Sequence, residues 1–156
     1  MQSIDGIFYV VVLIMSVVVH EVAHGYTAYL LGDNTAKLSG RLTLNPLKHL
    51  DIFGSVILPL LLILMNAGFV IGWARPVPYN PANLRDEKKG TFLVAIAGVL
   101  ANLLLVVVFG ILIRVAPSFI GASIAVPFYK ITSIIVILNL VLIVFNLIPI
   151  PPLDGS

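Results

Sequence analysis

Two histidines and a glutamate lie close together inside an apolar segment, in the motif His20-Glu21-Val22-Ala23-His24. Histidines four positions apart face the same side of a helix, so both rings can bind one zinc ion, and the glutamate between them can act as a general base. The motif lies inside residues 7–31, a run long enough to cross a bilayer. Each ionisable side chain near the centre of a span costs roughly 2.5 to 3.5 kcal/mol on insertion scales. The cluster therefore needs a compensating partner, and its spacing predicts a metal ion.

The composition predicts a membrane protein with several spans. Of the 156 residues, 60% are hydrophobic and 10% are charged, and the mean hydropathy is +1.11. A soluble domain of this length could not cover so much apolar side chain. The net charge of +2 gives no indication of a nucleic-acid partner, and the absence of cysteine leaves nitrogen and oxygen as metal ligands. The first residues carry no basic cluster, so the first apolar run is interpreted as a retained span, not a signal peptide.

Four apolar stretches predict the framework, and they are residues 7–31, 52–72, 92–116 and 131–150. After the first stretch, Leu38, Leu42 and Leu44 alternate with polar residues, which predicts an amphipathic strand at the membrane. The predicted fold class is an all-α polytopic membrane protein with three core transmembrane helices plus a re-entrant or β-hairpin membrane segment. Residues 1–156 are interpreted as a single domain.

A second candidate ligand, Asp154, lies near the end of the sequence. Three prolines within 149–152 break the last helix, and irregular backbone at membrane depth is tolerated only where it is buried in protein or lines a wet cavity. Two histidines and one carboxylate with an open fourth position form a standard catalytic zinc set. We therefore predict one zinc ion per chain, bound by His20, His24 and Asp154. As an alternative, the Asp-Gly pair is also common in turns.

The ligands must meet at one depth, and this requirement constrains the topology. His20 and His24 lie past the middle of the first span, and Asp154 lies at the end of the last, so these two spans must run in the same direction. One of the four stretches therefore cannot cross, and residues 52–72 are assigned as re-entrant because Pro59 interrupts them. The loops on the ligand side then hold seven of the nine basic residues. The positive-inside rule places that side in the cytoplasm.

Three motifs together resemble the site-2 protease family of intramembrane zinc metalloproteases. They are the H-E-x-x-H motif, the N-x-x-P-x-x-P-x-D-G pattern at 146–155 and the N-P-L-K-H segment at 45–49. The W-A-R-P-V-P segment at 73–78 resembles the small prokaryotic branch of the family, which lacks a PDZ domain. The resemblance implies an endopeptidase of the cell membrane that cleaves within or near transmembrane segments of other membrane proteins. It also implies an active site towards the cytoplasm.

The resemblance further implies roles for single residues. Glu21 would take a proton from water and return it to the leaving amine. Asn146 matches a position proposed to contact the substrate or stabilise the oxyanion, although it could instead bridge helices. One departure is Val99, where the family usually has proline after Gly98. Relatives usually continue into a further helix beyond Ser156, so the chain is expected to be a C-terminally truncated core.

Several alternatives remain open from the sequence. His49 is interpreted as an interfacial loop histidine and not a ligand, because the third ligand is already assigned. Asn102 is consistent with packing between helices or with a role near the site. Residues 38–44 could form a surface hairpin or an edge strand that captures substrate.

The alternative function is a non-proteolytic transporter or inactive scaffold that uses the His/Asp cluster to bind zinc or protons. Transporters usually spread ionisable groups along a pathway, whereas here they are concentrated at one depth. The expected partners are membrane-protein substrates and the lipid bilayer.

Overall fold

The structure is a computed structural model that describes residues 3–65, 74–116, 119 and 121–148. In these ranges the regular elements are helices, and the backbone pairs in an extended conformation at one isolated bridge, between Leu50 and Ala74. The elements, in order, are α1 (Ser3–Leu30), α2 (Thr35–Leu38), a 3-10 turn (Pro46–Lys48), a π-helical turn (Ile52–Ile57), α3 (Leu58–Leu64), a second 3-10 turn (Pro81–Asn83), α4 (Glu87–Val115) and α5 (Ala122–Asn146).

Three of the described helices are long and apolar enough to cross a membrane. The candidate spans are Phe8–Leu30, Glu87–Val115 and Ile124–Asn146. Many of their large apolar side chains are exposed on the outside of the bundle, and their helical backbone satisfies its own hydrogen bonds, as a lipid environment requires. The prediction of three core helices is confirmed, and their length and composition indicate a membrane protein.

Helices α1 and α5 run in the same direction, and α4 runs in the opposite one. His20 of α1 contacts Asn102 of α4, whereas His24 contacts Val94, so the numbering of α4 falls as that of α1 rises. Helix α5 follows α4 after a short connection and packs along it, as antiparallel neighbours do. This arrangement agrees with the predicted common direction of the first and last spans.

The ends of α1 and α4 at the histidine side are set by local sequence. Helix α1 ends where Gly32 adopts a φ of +115°, a left-handed conformation that favours glycine, and Asp33 N–H donates back to the Ala28 carbonyl. Helix α4 begins after Asp86, whose carboxylate accepts a hydrogen bond from Lys89 N–H at 3.0 Å. These two ends bring the connections before and after α3 to the same side of the helices.

Just beyond α1, the fully buried Asp33 holds these connections together. Its carboxylate accepts hydrogen bonds from the N–H (3.1 Å) and hydroxyl (2.6 Å) of Thr35, the N–H of Asn80 (2.7 Å) and the side-chain amide of Asn83 (2.8 Å). Burial by itself would raise the pKa of Asp33, but these bonds to the charged form outweigh it and hold the pKa below its ordinary value. We call these four residues the Asp33 clamp.

Two expectations for residues 35–72 have different outcomes. The predicted strand over 38–44 is wrong: Thr35–Leu38 is helical, and Gly40 adopts a φ of +66°, which interrupts any regular extended run. Residues Ile52–Leu62 form an apolar helical segment shorter than the three candidate spans. Residues 66–73 lie outside the described ranges, so the re-entrant course of 52–72 stays a prediction.

Candidate metal centre

The two motif histidines converge on one point inside the helix bundle. Both lie on the same face of α1 and are nearly buried, with exposures of 5% for His20 and 8% for His24. Their Nε2 atoms are 3.0 Å apart. Two nitrogens bound to one tetrahedral zinc at 2.0 to 2.1 Å would be about 3.3 Å apart. The pair therefore already has close to the separation that a shared zinc ion requires.

Each ring is also held through its second nitrogen by a residue of α4. His24 Nδ1–H donates to the Val94 carbonyl oxygen at 2.6 Å. His20 Nδ1 lies 3.2 Å from the side-chain amide nitrogen of the fully buried Asn102. Metal-ligating histidines usually have such a partner on their other nitrogen, because it fixes the tautomer and the orientation of the ring. The contacts thus match those of a metal-binding pair.

Gly98 leaves open the space beside the two Nε2 atoms. A Cβ placed on Gly98 would lie 2.5 Å from His20 Cε1 and 2.6 Å from His20 Nε2, and it would also overlap His24 Nε2. Val94, Gly98 and Asn102 follow one another at intervals of four along α4, so one stripe supports both histidines and keeps the space between them. The donor set and this space fit a zinc ion.

Glu21 lies next to the pair. It is held by the segment at residues 74–80 that leads towards α4, which we call the connector. Its Oε2 accepts a hydrogen bond from Val77 N–H at 2.9 Å. Val77 is buried against α1 at Gly25, where an added Cβ would come within 2.5 Å of Val77 Cγ1. The connector can approach α1 this closely because position 25 has no side chain. The backbone of residues 74–80 thus passes directly beside the candidate base.

Asn146 is brought close to the level of the histidines. Asn139 of α5 bonds Ser16 of α1, and the helices are parallel, so Asn146 and His24 lie about 10 and 12 Å beyond that contact at 1.5 Å per residue. The amide of Asn146 donates to the carbonyl of Leu142 in its own helix at 3.0 Å. Its contact with substrate stays a prediction.

The predicted third ligand, Asp154, lies outside the described residues. Within the described ranges, no third histidine, cysteine, aspartate or glutamate joins His20 and His24. The assignment of Asp154 therefore stays a prediction that follows from the sequence.

His49 is placed in the loop and not at the metal centre. It is buried, its Nε2–H donates to the Thr43 carbonyl oxygen at 2.8 Å, and its own carbonyl accepts from Arg75 N–H at 2.8 Å. The side chain thus closes the loop on itself at Thr43, and the backbone carbonyl of His49 links this loop to the start of the connector. This agrees with its interpretation as a loop histidine and not a ligand, although it lies deeper than an interfacial position implies.

Proteins similar to this chain carry names that agree with the chemistry of the site. The chain is 44% identical over 152 residues to a Bacillus subtilis protein named "Putative zinc metalloprotease YwhC". It is 34% identical over 155 residues to a protein of Mycolicibacterium smegmatis named "Putative zinc metalloprotease Rip2", and 30% identical over 152 residues to Rip2 of Mycobacterium tuberculosis. These matches cover 95%, 98% and 96% of this chain.

The same matches cover a smaller part of the relatives. The chain spans 65% of the length of YwhC, and 57% and 56% of the two Rip2 proteins. No family model and no solved structure matches the chain. The names of the relatives support a protease role and imply zinc, and they give no support to the transporter or scaffold alternative.

Part of what holds the site was not predicted from the sequence. Val94 and Gly98 were not predicted to contact the histidines, and Asn102 was left undecided. A signal was present, because Gly98 and Asn102 repeat the four-residue spacing of His20 and His24. This spacing places the two residues of each pair on one face of their own helix, and the fold brings the two faces together. The contact between Val77 and Glu21 left no comparable signal, since a backbone N–H has no sequence signature.

Proposed function

We propose that this chain contains the catalytic core of a zinc-dependent intramembrane endopeptidase of the site-2 protease type. The observation that carries the proposal is the convergence of His20 and His24, with Nε2 atoms 3.0 Å apart, inside a helix long and apolar enough to cross a membrane. Asp154 would complete the ligand set. The zinc metalloprotease names of the relatives support the same reaction.

Glu21 is the residue that we propose moves the proton. It directly follows His20 on α1, and Val77 N–H holds its carboxylate through Oε2. Zinc, when bound, supplies Lewis acidity that activates water and polarises the substrate carbonyl. Glu21 would accept the proton of the attacking water and pass it to the nitrogen of the leaving amine. The covalent change is hydrolysis of one peptide bond into a carboxylate and an amine.

The proposed substrates are membrane-spanning segments of other proteins. The site lies within the candidate span Phe8–Leu30, whose outward-facing apolar residues suit lipid. A substrate segment that reaches the site must therefore be apolar enough to lie in the bilayer. A helical substrate hides its amides in its own hydrogen bonds and must unwind locally before cleavage. The backbone beside Glu21 belongs to the non-helical connector at 74–80, through Val77, and the strand that the sequence had suggested at 38–44 does not form.

We further propose that the protein lies in the cell membrane with the site towards the cytoplasm. The loops at the histidine end of the helices carry most of the basic residues, whereas Arg114 lies at the opposite end of α4. Single cysteines at Ser39 and Lys88 should react with an impermeant reagent from the cytoplasmic side, and one at Phe119 from the other side. The chain has no cysteine of its own, so labelling has no background.

The function is tested with full-length protein reconstituted together with a single-span substrate. The wild type should hold about one zinc per chain and cleave the substrate. A chelator should stop cleavage, and added zinc should restore it. The His24→Ala variant should lose both zinc and cleavage, while His49→Gln, which changes the loop histidine, should keep both. Cleavage that survives without zinc, or zinc that is undiminished in His24→Ala, would contradict the proposal.

A further inference from the structure

We propose that Gly25 and Leu42 are positioning residues that act on Glu21 through Val77. In this proposal, Gly25 and the side chains around it form a socket for the side chain of Val77. The socket determines where the backbone N–H of Val77 meets the carboxylate of Glu21. The inference rests on the proposed function, in which Glu21 is the base, and it gives the loop at 38–44 a role in that reaction although no strand forms there.

Val77 contacts α1 at two points that are one helical turn apart. Its N–H donates to Glu21 Oε2 at 2.9 Å, and its side chain lies over Gly25, where a Cβ would come within 2.5 Å of Val77 Cγ1. Residues four positions apart lie on the same face of a helix, so both contacts are on one side of α1. Valine is β-branched and stiff at χ1. The depth of its side chain over Gly25 therefore sets the position of its N–H.

Two further side chains close the socket around Gly25. The point where a Cβ of Gly25 would stand is 2.9 Å from Leu42 Cδ2 and 3.1 Å from Ala36 Cβ. Ala36 is fully buried, and Val77 is only 6% exposed. We call Gly25, Ala36 and Leu42 the socket. Because these three residues and Val77 share one small space, a change in any of them alters the room that is left for Val77.

The turn after α2 directs Leu42 back towards α1. Helix α2 ends in a Schellman motif, in which Arg41 N–H donates to the Ala36 carbonyl at 3.0 Å. Gly40 N–H donates to the Lys37 carbonyl, also at 3.0 Å, and Gly40 has the positive φ that this motif requires. The chain therefore reverses at Gly40. The glycine that interrupts the expected strand is thus the one that returns Leu42 to the socket.

The three leucines of this loop have different surroundings. Leu42 is half-buried in the socket, whereas Leu38 and Leu44 are 85% and 56% exposed. An edge strand that captured substrate would use Leu42 and Leu44 alike, because residues two positions apart lie on the same face of a strand. The positioning role involves Leu42 and not Leu44. Leu44 is therefore a matched control that separates the two roles.

The first test measures kcat and KM of two alanine variants in full-length protein, reconstituted with a single-span substrate. Leu42→Ala opens the socket, so kcat per zinc-loaded molecule should fall by about three- to tenfold, because the hydrogen bond to the charged Glu21 is weakened but not removed. Its KM should stay at the wild-type value, and Leu44→Ala should leave both constants unchanged. A rise in KM in both variants would mean that the loop binds substrate and would overturn the proposal, as would an unchanged kcat in Leu42→Ala.

Gly25→Ala tests the socket from the side of α1. Alanine is a better helix former than glycine, so the helix itself is not weakened, but the added Cβ would overlap Val77 Cγ1 and push the connector away. We expect kcat to fall about tenfold. The overlap with Leu42 is milder, because its Cδ2 lies at the end of a flexible side chain.

The matched background for this change is Val77→Ala, which removes the overlapping carbon and keeps the N–H. In that background, Gly25→Ala should change kcat by less than about twofold, since the two changes are coupled through one contact. A tenfold fall in both backgrounds would contradict the socket.

Zinc content separates this proposal from the proposed function. Both Gly25→Ala and Leu42→Ala leave His20 and His24 unaltered, so they should keep about one zinc per chain. Loss of zinc in Leu42→Ala would place its effect at the metal and overturn the positioning role. If the wild type binds zinc and cleaves, and both variants keep its kcat, the positioning proposal is wrong but the zinc site stands. If the wild type binds no zinc, the proposed function itself fails.

Discussion

Two carboxylates, one within α1 and one just beyond its end, differ in their burial and in the number of hydrogen bonds that they accept. Asp33, in the clamp, is fully buried and accepts four hydrogen bonds. Glu21, in the metal centre, is half-buried and accepts one from the described residues, through Oε2. Both bonds to the connector are made by backbone N–H groups, Val77 to Glu21 and Asn80 to Asp33.

The difference separates a structural acid, Asp33, from the proposed catalytic one, Glu21. The acceptor positions of Asp33 are taken up by fixed donors, so its charge serves to order the loops around it. Glu21 keeps acceptor capacity for a proton while one donor holds it in place. Both acids bond the same connector. Each carboxylate can be replaced by its amide, which exchanges one oxygen for an NH2 group and keeps the shape of the side chain.

Glu21→Gln should abolish the chemistry and leave the site intact. Gln keeps the shape and an acceptor for Val77 N–H but cannot take a proton from water, so cleavage should fall by about 100- to 10,000-fold, while zinc content stays at the wild-type level. Asp33→Asn is the matched amide variant and should cleave near the wild-type rate per folded molecule. The contrast breaks if both variants lose cleavage equally.

Gly98→Ala should damage the metal centre without altering any ligand. The added Cβ would overlap His24 Nε2 and displace both rings, so zinc affinity should fall by about 10- to 100-fold, as for loss of an outer-shell contact. Gly110→Ala is the control on the same helix, because a Cβ there meets nothing within 4 Å. Chelator competition measures both. Unchanged zinc affinity in Gly98→Ala would show that the helices yield to the methyl group.

Asp33→Asn should lower stability at neutral pH by about 2 kcal/mol, since it replaces hydrogen bonds to a charged acceptor. Because the folded pKa of Asp33 is below its ordinary value of 3.8, its contribution is fully present above pH 3.8 and is lost as the pH falls through the folded pKa. The difference in unfolding free energy between wild type and variant should therefore shrink at acid pH. A difference that is constant with pH would remove the charge from the explanation.

Val77→Pro should have the smallest effect. It removes the N–H that holds Glu21 and keeps a compact apolar side chain against Gly25, so kcat should fall by about tenfold, which corresponds to the lower end, about 1.5 kcal/mol, of the range for one hydrogen bond to a charged group. Val77→Ala keeps the N–H and is the control for lost packing. Equal kcat values in the two variants would mean that the backbone donor has no part in placing Glu21.

The sequence was informative where one segment carried the whole signal. The four-residue spacing of His20 and His24 predicted a shared face, and the apolar runs predicted three long helices, because both depend on local periodicity. The alternation of Leu42 and Leu44 with polar residues predicted a strand at 38–44. This prediction was wrong because Gly40 takes a left-handed conformation that interrupts the run. The Asp33 clamp was not predictable, because Asn80 lies 47 residues further along the chain and only the fold brings the two together.

Gly98 has a consequence for the genetics of this protein. Every other residue type brings a Cβ, so any missense change at this codon fills the space beside the two histidines. The absence of a Cβ at position 98 is therefore as necessary to the proposed zinc site as the two histidine nitrogens. In a saturation library selected for loss of cleavage, position 98 should therefore accumulate substitutions as densely as His20, His24 and Glu21, although glycine has no side chain with which to bind a metal.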